Sequence, residues 1–305
     1  TNRIPRTDFR LFFDTNDGKL GASVMTYWPE EAKEGFFLML ASPQIKKPSK
    51  EESNKTVIFV VDRSGSMSGK KIEQAKDALR FVLNNLREGD LFNIVAYDSD
   101  VETFRPELER YSDKTRKAAL AFADGIYSGG STAIDAALKT SLSMIQDVSQ
   151  PNYVVFLTDG KPTAGETNEM KIVDNARRIN QKNARLISLG VGYDVNSRLL
   201  DRLTAANRGQ SDYVRPDEDL EIHVSRLYNK ISAPVLTNVK IDYLFDEVAA
   251  ETTQPVNRIY PKKVFEIFSG QQLIIAGRYK NTGTAKIRIQ GKVGAKYKKL
   301  TYPTK

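Results

Sequence analysis

The alternation of apolar and polar positions changes character twice along the chain. Through the first fifty residues the apolar positions come in short runs: Leu11-Phe12-Phe13 ahead of the turn residues Asn16-Asp17-Gly18, then Phe36 to Leu40. Short apolar runs bounded by turn residues predict β structure. Ser42-Pro43 closes this segment, and Lys46 to Asn54, rich in Lys, Glu, Ser and Pro, has the composition of a linker.

From Thr56 the pattern alternates between strand and helix. Val57-Ile58-Phe59-Val60-Val61 is an unbroken apolar run, as expected of a parallel strand covered on both faces. Ile72, Ala75, Leu79, Val82, Leu83 and Leu86 then form one stripe of a 3.6-residue period. The spacing predicts further strands at Leu91 to Tyr97, Tyr153 to Leu157, Leu186 to Leu189 and Asp212 to Val214, with a short antiparallel edge at Val101 to Phe104. It predicts helices over Ser112 to Ile126, Ala133 to Val148, Glu169 to Gln181, Ser197 to Ala206 and Leu220 to Ile231. Such alternation argues for an α/β fold, a doubly wound, mostly parallel, Rossmann-like sheet with helices on both faces.

Beyond Pro234 the chain returns to β periodicity in Val239 to Tyr243, Leu273 to Tyr279 and Ala285 to Gln290, punctuated by Gly270, Gly283 and Gly291. Each terminal β segment is short for an independent sheet. The economical arrangement pairs the two with each other, which makes the central block an insertion in a smaller β-sandwich. The expected domains are 1–50 and 233–305 for the two parts of the sandwich and 51–232 for the inserted α/β domain.

Composition narrows the chemistry. The 305 residues contain no cysteine and one histidine, His223, which excludes disulfides, thiolate zinc sites, iron–sulfur clusters and multi-histidine metal sites. No stretch is long and apolar enough to span a membrane. The net charge of +8 lies outside the central block, because Lys55 to Ser232 holds equal numbers of acidic and basic residues, 25 of each. A nucleic-acid binder would carry its basic footprint on the folded recognition module. The lysine-rich flanks therefore read as solvated surface, and no nucleic-acid partner is expected. Asn54-Lys55-Thr56 matches a glycosylation acceptor, a triplet that arises often by chance.

The candidate chemistry gathers at strand ends. Asp62-Arg63-Ser64-Gly65-Ser66 follows the first central strand, Thr158-Asp159-Gly160 follows another, and Ser128-Gly129-Gly130-Ser131-Thr132 precedes a helix. In an open α/β sheet, loops at the carboxyl ends of the strands converge where strand order reverses. Two carboxylates and three hydroxyls would then meet with no soft ligand nearby. Hard oxygen donors select a hard cation, and a hydroxyl-rich set with few carboxylates suits Mg²⁺, with Mn²⁺ an alternative; Ca²⁺ would want more oxygens. Asp62, Ser64 and Ser66 alternate, so an extended, turning loop can aim all three at one point. Gly65 and Gly129-Gly130 would allow close backbone approach.

Asp-x-Ser-x-Ser, a later Thr and a later Thr-Asp-Gly together resemble the metal-ion-dependent adhesion site of von Willebrand factor type A domains, over about residues 55 to 232. Asp62 to Lys70, Gly89 to Phe92, Leu157 to Gly165 and Ser269 to Arg278 are similar to the inter-alpha-trypsin inhibitor heavy chains and their bacterial relatives. The resemblance implies that Asp62, Ser64, Ser66, Thr132 and Asp159 surround the metal, some directly and some through water. It implies that a Glu or Asp carboxylate of a protein or extracellular-matrix ligand takes an open coordination position, that the chain is not an enzyme, and that a hybrid-type β subdomain carries the A domain. It further implies an extracellular or bacterial cell-envelope setting. The chain begins with Thr1, carries no targeting signal, and lacks the family's preceding β domain, so it is expected to be a processed chain or a fragment.

Competing readings are open at several of these positions. Asp-x-Ser-x-Ser alone also makes ordinary turns and helix caps. Asp135, in the first turn of a helix, reads as a dipole partner and not a ligand. Gly65 to Lys70 is one residue short of a phosphate loop, and Lys71 stands where Ser or Thr would follow. His223 between Ile222 and Val224 reads as a packed or surface residue, and Trp28 as a sandwich aromatic. Two rival functions remain: a self-associating, homo-oligomeric scaffold with a non-essential metal, and a metal-assisted phosphoester hydrolase, which would want more acidic residues.

Overall fold

The computed structural model describes residues 21–42, 54–147, 150–231, 234–245, 255–264, 266–268, 272–280, 285–293 and 296–304. The expected strand at Leu11-Phe12-Phe13, its turn at Asn16-Asp17-Gly18, and nearly all of the 46–54 linker lie outside these residues. The chain divides into two compact units, one formed by Glu52–Asn229 and the other drawn from both flanks, Thr1–Glu51 and Lys230–Lys305.

In chain order the elements begin with β1 (Gly21–Tyr27) and β2 (Gly35–Ser42). The larger unit follows: β3 (Thr56–Asp62), α1 (Lys70–Asn85), β4 (Leu91–Tyr97), β5 (Val101–Thr103), β6 (Glu109–Arg110), α2 (Asp113–Asp124) and α3 (Ile134–Ser143). It continues through β7 (Asn152–Thr158), α4 (Glu169–Ile179), β8 (Arg185–Val191), α5 (Ser197–Ala206), β9 (Gln210–Val214) and α6 (Leu220–Ile231). The remaining strands are β10 (Pro234–Phe245), β11 (Val256–Tyr260), β12 (Glu266–Phe268), β13 (Leu273–Tyr279), β14 (Ala285–Val293) and β15 (Lys296–Thr304).

The larger unit is an α/β sheet of strand order β5-β4-β3-β7-β8-β9, with β6 also pairing β4. The pairs β3–β4, β3–β7, β7–β8 and β8–β9 are parallel, and only the short β5 and β6 run antiparallel to β4. All seven residues of β3 and of β7 are buried, which is why these segments read as continuous apolar runs. Ile58, Val60, Val154, Phe156 and Leu186 from the strands share one core with Ile134, Leu138, Ile172, Leu199 and Leu203 from α3, α4 and α5. Helix starts carry local signals. Ser112 and Thr115 form a reciprocal capping box on α2, and the Asn168 and Asn196 side chains accept from the first-turn N–H groups of α4 and α5.

One helix differs from its expected extent. The apolar pattern carries α3 on to Val148, but the helix ends at Ser143. Ile145 is still buried, so the periodicity persists while the backbone leaves helical geometry. The Asp147 carbonyl instead accepts the Asn152 side-chain amide at 2.7 Å, fastening the entry to β7.

The smaller unit contains two antiparallel four-stranded sheets, β1-β2-β13-β11 and β12-β10-β14-β15. β2 lies beside β13, with Leu40 opposite Ile274 and Phe36 opposite Arg278, so the amino-terminal hairpin completes a sheet whose other strands come from the carboxyl-terminal segment. Phe37, Met39 and Ala41 share one core with Leu236, Ile267, Ile287, Ile289 and Tyr302, which makes the two sheets a sandwich. Trp28 sits edge-on to Tyr279, with ring centroids 5.3 Å apart, and its indole N–H donates to the Ala32 carbonyl.

Candidate metal-ion site

The chain passes from β3 to β4 on one side and reaches β7 on the other, so strand order reverses at β3. Asp62 is the last residue of β3, and Asp159 directly follows β7. The Asp62 carboxylate is wholly buried. Its Oδ1 accepts the Ser64 backbone N–H at 2.8 Å, and its Oδ2 accepts the hydroxyls of Thr158 at 2.6 Å and Tyr97 at 3.2 Å. Burial pushes the Asp62 carboxyl above the ordinary carboxylate value, and the Ser64 and Thr158 hydrogen bonds oppose that rise. Tyr97, completely enclosed beside it, is pushed well above its ordinary value by burial and by the Asp62 charge.

The serines link the two carboxyl-bearing loops. Ser64 Oγ and Ser66 Oγ lie 3.1 Å apart, and Ser66 Oγ donates to Asp159 Oδ1 at 2.7 Å. The Thr132 segment enters beside them. The Gly65 N–H donates to the Gly130 carbonyl at 3.1 Å, and the Gly129 N–H to the Arg63 carbonyl at 2.8 Å. Thr132 is anchored in turn, its N–H donating to the Thr163 hydroxyl and its carbonyl accepting from the N–H groups of Thr163 and Ala164. A Cβ placed on Gly160 would stand 3.7 Å from Ser66 Oγ and 3.8 Å from Thr132 Oγ1, so these two hydroxyls flank one point beside Gly160. Glycine is needed at position 130, where φ is +71° and a Cβ would meet Ser99 Oγ at 3.0 Å.

Three further residues belong to this neighbourhood. Thr158 and Tyr97 hold Asp62, and Lys71 pairs its ammonium with Asp159 Oδ2 and donates to the Ser66 carbonyl at 3.2 Å. Thr158 was legible within Thr158-Asp159-Gly160; Tyr97 and Lys71 carried no motif. Arg63, between two of the site residues, turns away to ion-pair with Asp98 at 3.0 Å and Glu102 at 2.6 Å.

The donor set can be weighed against a hard cation. Asp62, Ser64, Ser66 and Asp159 form a continuous chain of contacts, Thr132 closes on it across Gly160, and every donor is oxygen. Among the described residues no group of three or more His, Cys, Asp and Glu side chains is placed to hold a metal. This hydroxyl-rich set with two carboxylates fits an Mg²⁺-like ion that keeps several waters. The other candidates have structural partners: Asp135 pairs with Lys139 at 2.6 Å and accepts from Asn175 at 2.9 Å, while His223 Nδ1 lies 3.0 Å from Asp212. Among the described residues no helix is long and apolar enough to cross a membrane.

Residues 56–227 match the sequence model of the von Willebrand factor type A domain. The chain is 32% identical over 237 residues to human inter-alpha-trypsin inhibitor heavy chain H4, covering 75% of this chain and 25% of that protein. It is 27% identical over 301 residues to mouse heavy chain H3, covering 95% of this chain and 32% of that one. The chain thus spans between a quarter and a third of the length of these relatives. Its fold is similar to that of a von Willebrand factor type A protein from Catenulispora acidiphila, with a TM-score of 0.71 at 15% identity over 96% of this chain and 75% of that one. The sequence match takes in more than half of the 305 residues and is centred on the sheet that positions Asp62 and Asp159, and on it the chain belongs to the von Willebrand factor type A domain family.

Proposed function

We propose that the protein is a metal-dependent adhesion or protein-interaction module, and not an enzyme. In this reading Asp62, Ser64, Ser66, Thr132 and Asp159 hold Mg²⁺, with Mn²⁺ or Ca²⁺ as alternatives. The bound ion supplies an electrophilic position for a Glu or Asp carboxylate of a protein or matrix ligand. The observation that carries the reading is the Ser64–Ser66–Asp159 contact chain, which ties loops more than ninety residues apart into one oxygen-lined site containing two carboxylates. The chain's own groups do the rest: Thr158 and Tyr97 orient the Asp62 carboxylate, and Gly130 fastens the Thr132 segment to the Asp62 loop through the Gly65 N–H. An extracellular or cell-envelope location fits the kinship with the heavy chains, and the division into a sandwich unit and an inserted A domain fits their organisation.

The test is calorimetric titration of Mg²⁺ and Mn²⁺ into the wild-type chain and into Asp62→Ala, with unfolding followed in parallel. Wild type should take up one ion, while Asp62→Ala should take up none and keep a folded sheet. A wild-type chain that binds neither ion would refute the reading.

A further inference from the structure

Lys71 is the second residue of α1, where a positive charge opposes the helix dipole. Its side chain nevertheless turns back across the helix start, and its ammonium contacts Asp159 Oδ2 and the Ser66 carbonyl. The Asp159 carboxylate is 1% exposed, against 31% for the Lys71 side chain, so the lysine approaches from the solvent side. Gly192, with φ +117°, passes close by: a Cβ there would lie 3.5 Å from Lys71 Nζ. Both Asp159 oxygens are thereby engaged by the chain itself, Oδ1 by the Ser66 hydroxyl and Oδ2 by the lysine.

Resting on the metal-binding reading above, we propose that Lys71 is an intramolecular cation that competes with the divalent ion for Asp159 and so sets the site's metal affinity. The two carboxylates Asp62 and Asp159 and one ammonium leave the site with a single net negative charge. A divalent ion that draws on Asp159 either displaces the ammonium, losing that ion pair, or binds beside it against direct repulsion. The long, partly exposed stem of Lys71 provides the path for displacement. Both routes lower affinity, while the Asp62 carboxylate is held by other groups, Thr158, Tyr97 and Ser64.

The experiment is Mn²⁺ titration of the full chain, read by the electron paramagnetic resonance signal of free Mn²⁺, for wild type, Lys71→Met, Lys71→Gln and Lys71→Arg. The glutamine variant carries the test if the methionine variant does not fold. Removing a unit charge a few ångströms from a dication should tighten binding about tenfold in the neutral variants, and Lys71→Arg should stay near wild type. Mn²⁺ binding by the neutral variants alone would support the competition in its strongest form, while overturning metal-dependent function for the native chain. Unchanged or weaker binding in the neutral variants, with wild type still binding, would overturn the role of Lys71 and leave the metal site standing. Absence of binding in every protein would overturn both.

Discussion

The Thr158 hydroxyl donates a 2.6 Å hydrogen bond to Oδ2 of Asp62, joining the carboxyl end of β7 to that of β3 across 96 positions of sequence. The Tyr97 hydroxyl also donates to this oxygen, at 3.2 Å, and the Ser64 backbone N–H donates to Oδ1 at 2.8 Å. Thr158→Val keeps the volume and removes the donor. The variant should lose about 1–3 kcal/mol of stability, the usual cost of leaving a buried polar group underbonded. Urea unfolding of the two proteins would measure it, and equal midpoints would show that the bond is dispensable.

At the opposite end of β3, Lys55 and Asp90 form a buried ion pair at 2.9 Å, with side chains only 5% and 2% exposed. Asp90 also accepts the backbone N–H groups of Lys55 and Arg87, and the Lys55 ammonium lies 5.2 Å from the Tyr228 ring centre on α6. Lys55→Met should therefore destabilise by about 3–5 kcal/mol, because it strands a buried carboxylate. Adding Asp90→Asn should recover part of this loss, since the amide oxygen can still accept. Thermal denaturation of the single and double variants would reveal the coupling.

The paired glycines ahead of Thr132 should respond differently. Gly130→Ala forces a side chain into φ +71° with Ser99 Oγ at 3.0 Å and Asp98 Cβ at 3.2 Å, whereas a Cβ on Gly129 meets nothing within 4 Å. Gly130→Ala should cost about 1–3 kcal/mol through backbone strain and weaken Mn²⁺ uptake by displacing the Thr132 segment. Gly129→Ala should change either quantity little. Similar losses in both variants would mean that position 130 has no special demand.

Glu169 offers a test by pH. The Asn196 amide, followed by the Arg198 and Arg202 charges, holds its carboxyl below the ordinary value, and burial opposes them only in part. A carboxyl depressed on folding stabilises the native state above its unfolded pKa, and that contribution fades as pH falls through the folded value. Glu169→Gln should lower the melting temperature by about 1–3 °C at pH 7, the scale of a partly exposed ion pair. The gap should close in acid below the usual carboxylate range. A gap that does not narrow as the solution is acidified would show that the glutamate acts through packing and not through its charge.

The apolar pattern made the inner strands plain and left the edges of the sandwich obscure. β3 and β7 are buried along their full lengths, and β13 alternates buried and exposed, so each leaves a clear trace in the sequence. Within the sandwich, periodicity did not delimit β1, β11, β12 and β15, which among the described residues are its edge strands; the two-residue β6 of the larger unit also left no trace. Edge strands tolerate charge and irregularity, as the lysines at 296, 298 and 299 of β15 illustrate. A similar loss of signal affects the end of α3, where Ile145 remains apolar and buried after the helix has stopped.

The candidate site divides along the same line. Residue order alone determined that Asp62, Ser64, Ser66, Thr132 and Asp159 stand at strand ends and before a helix, because side-chain type and hydrophobic period are local properties. Tertiary structure alone decided that Tyr97 and Thr158 hold Asp62, that Ser66 bridges to Asp159, and that Lys71 lies against the same carboxylate. Those contacts join residues from 35 to 96 positions apart, and they depend on the order and register of parallel strands, which no local pattern encodes.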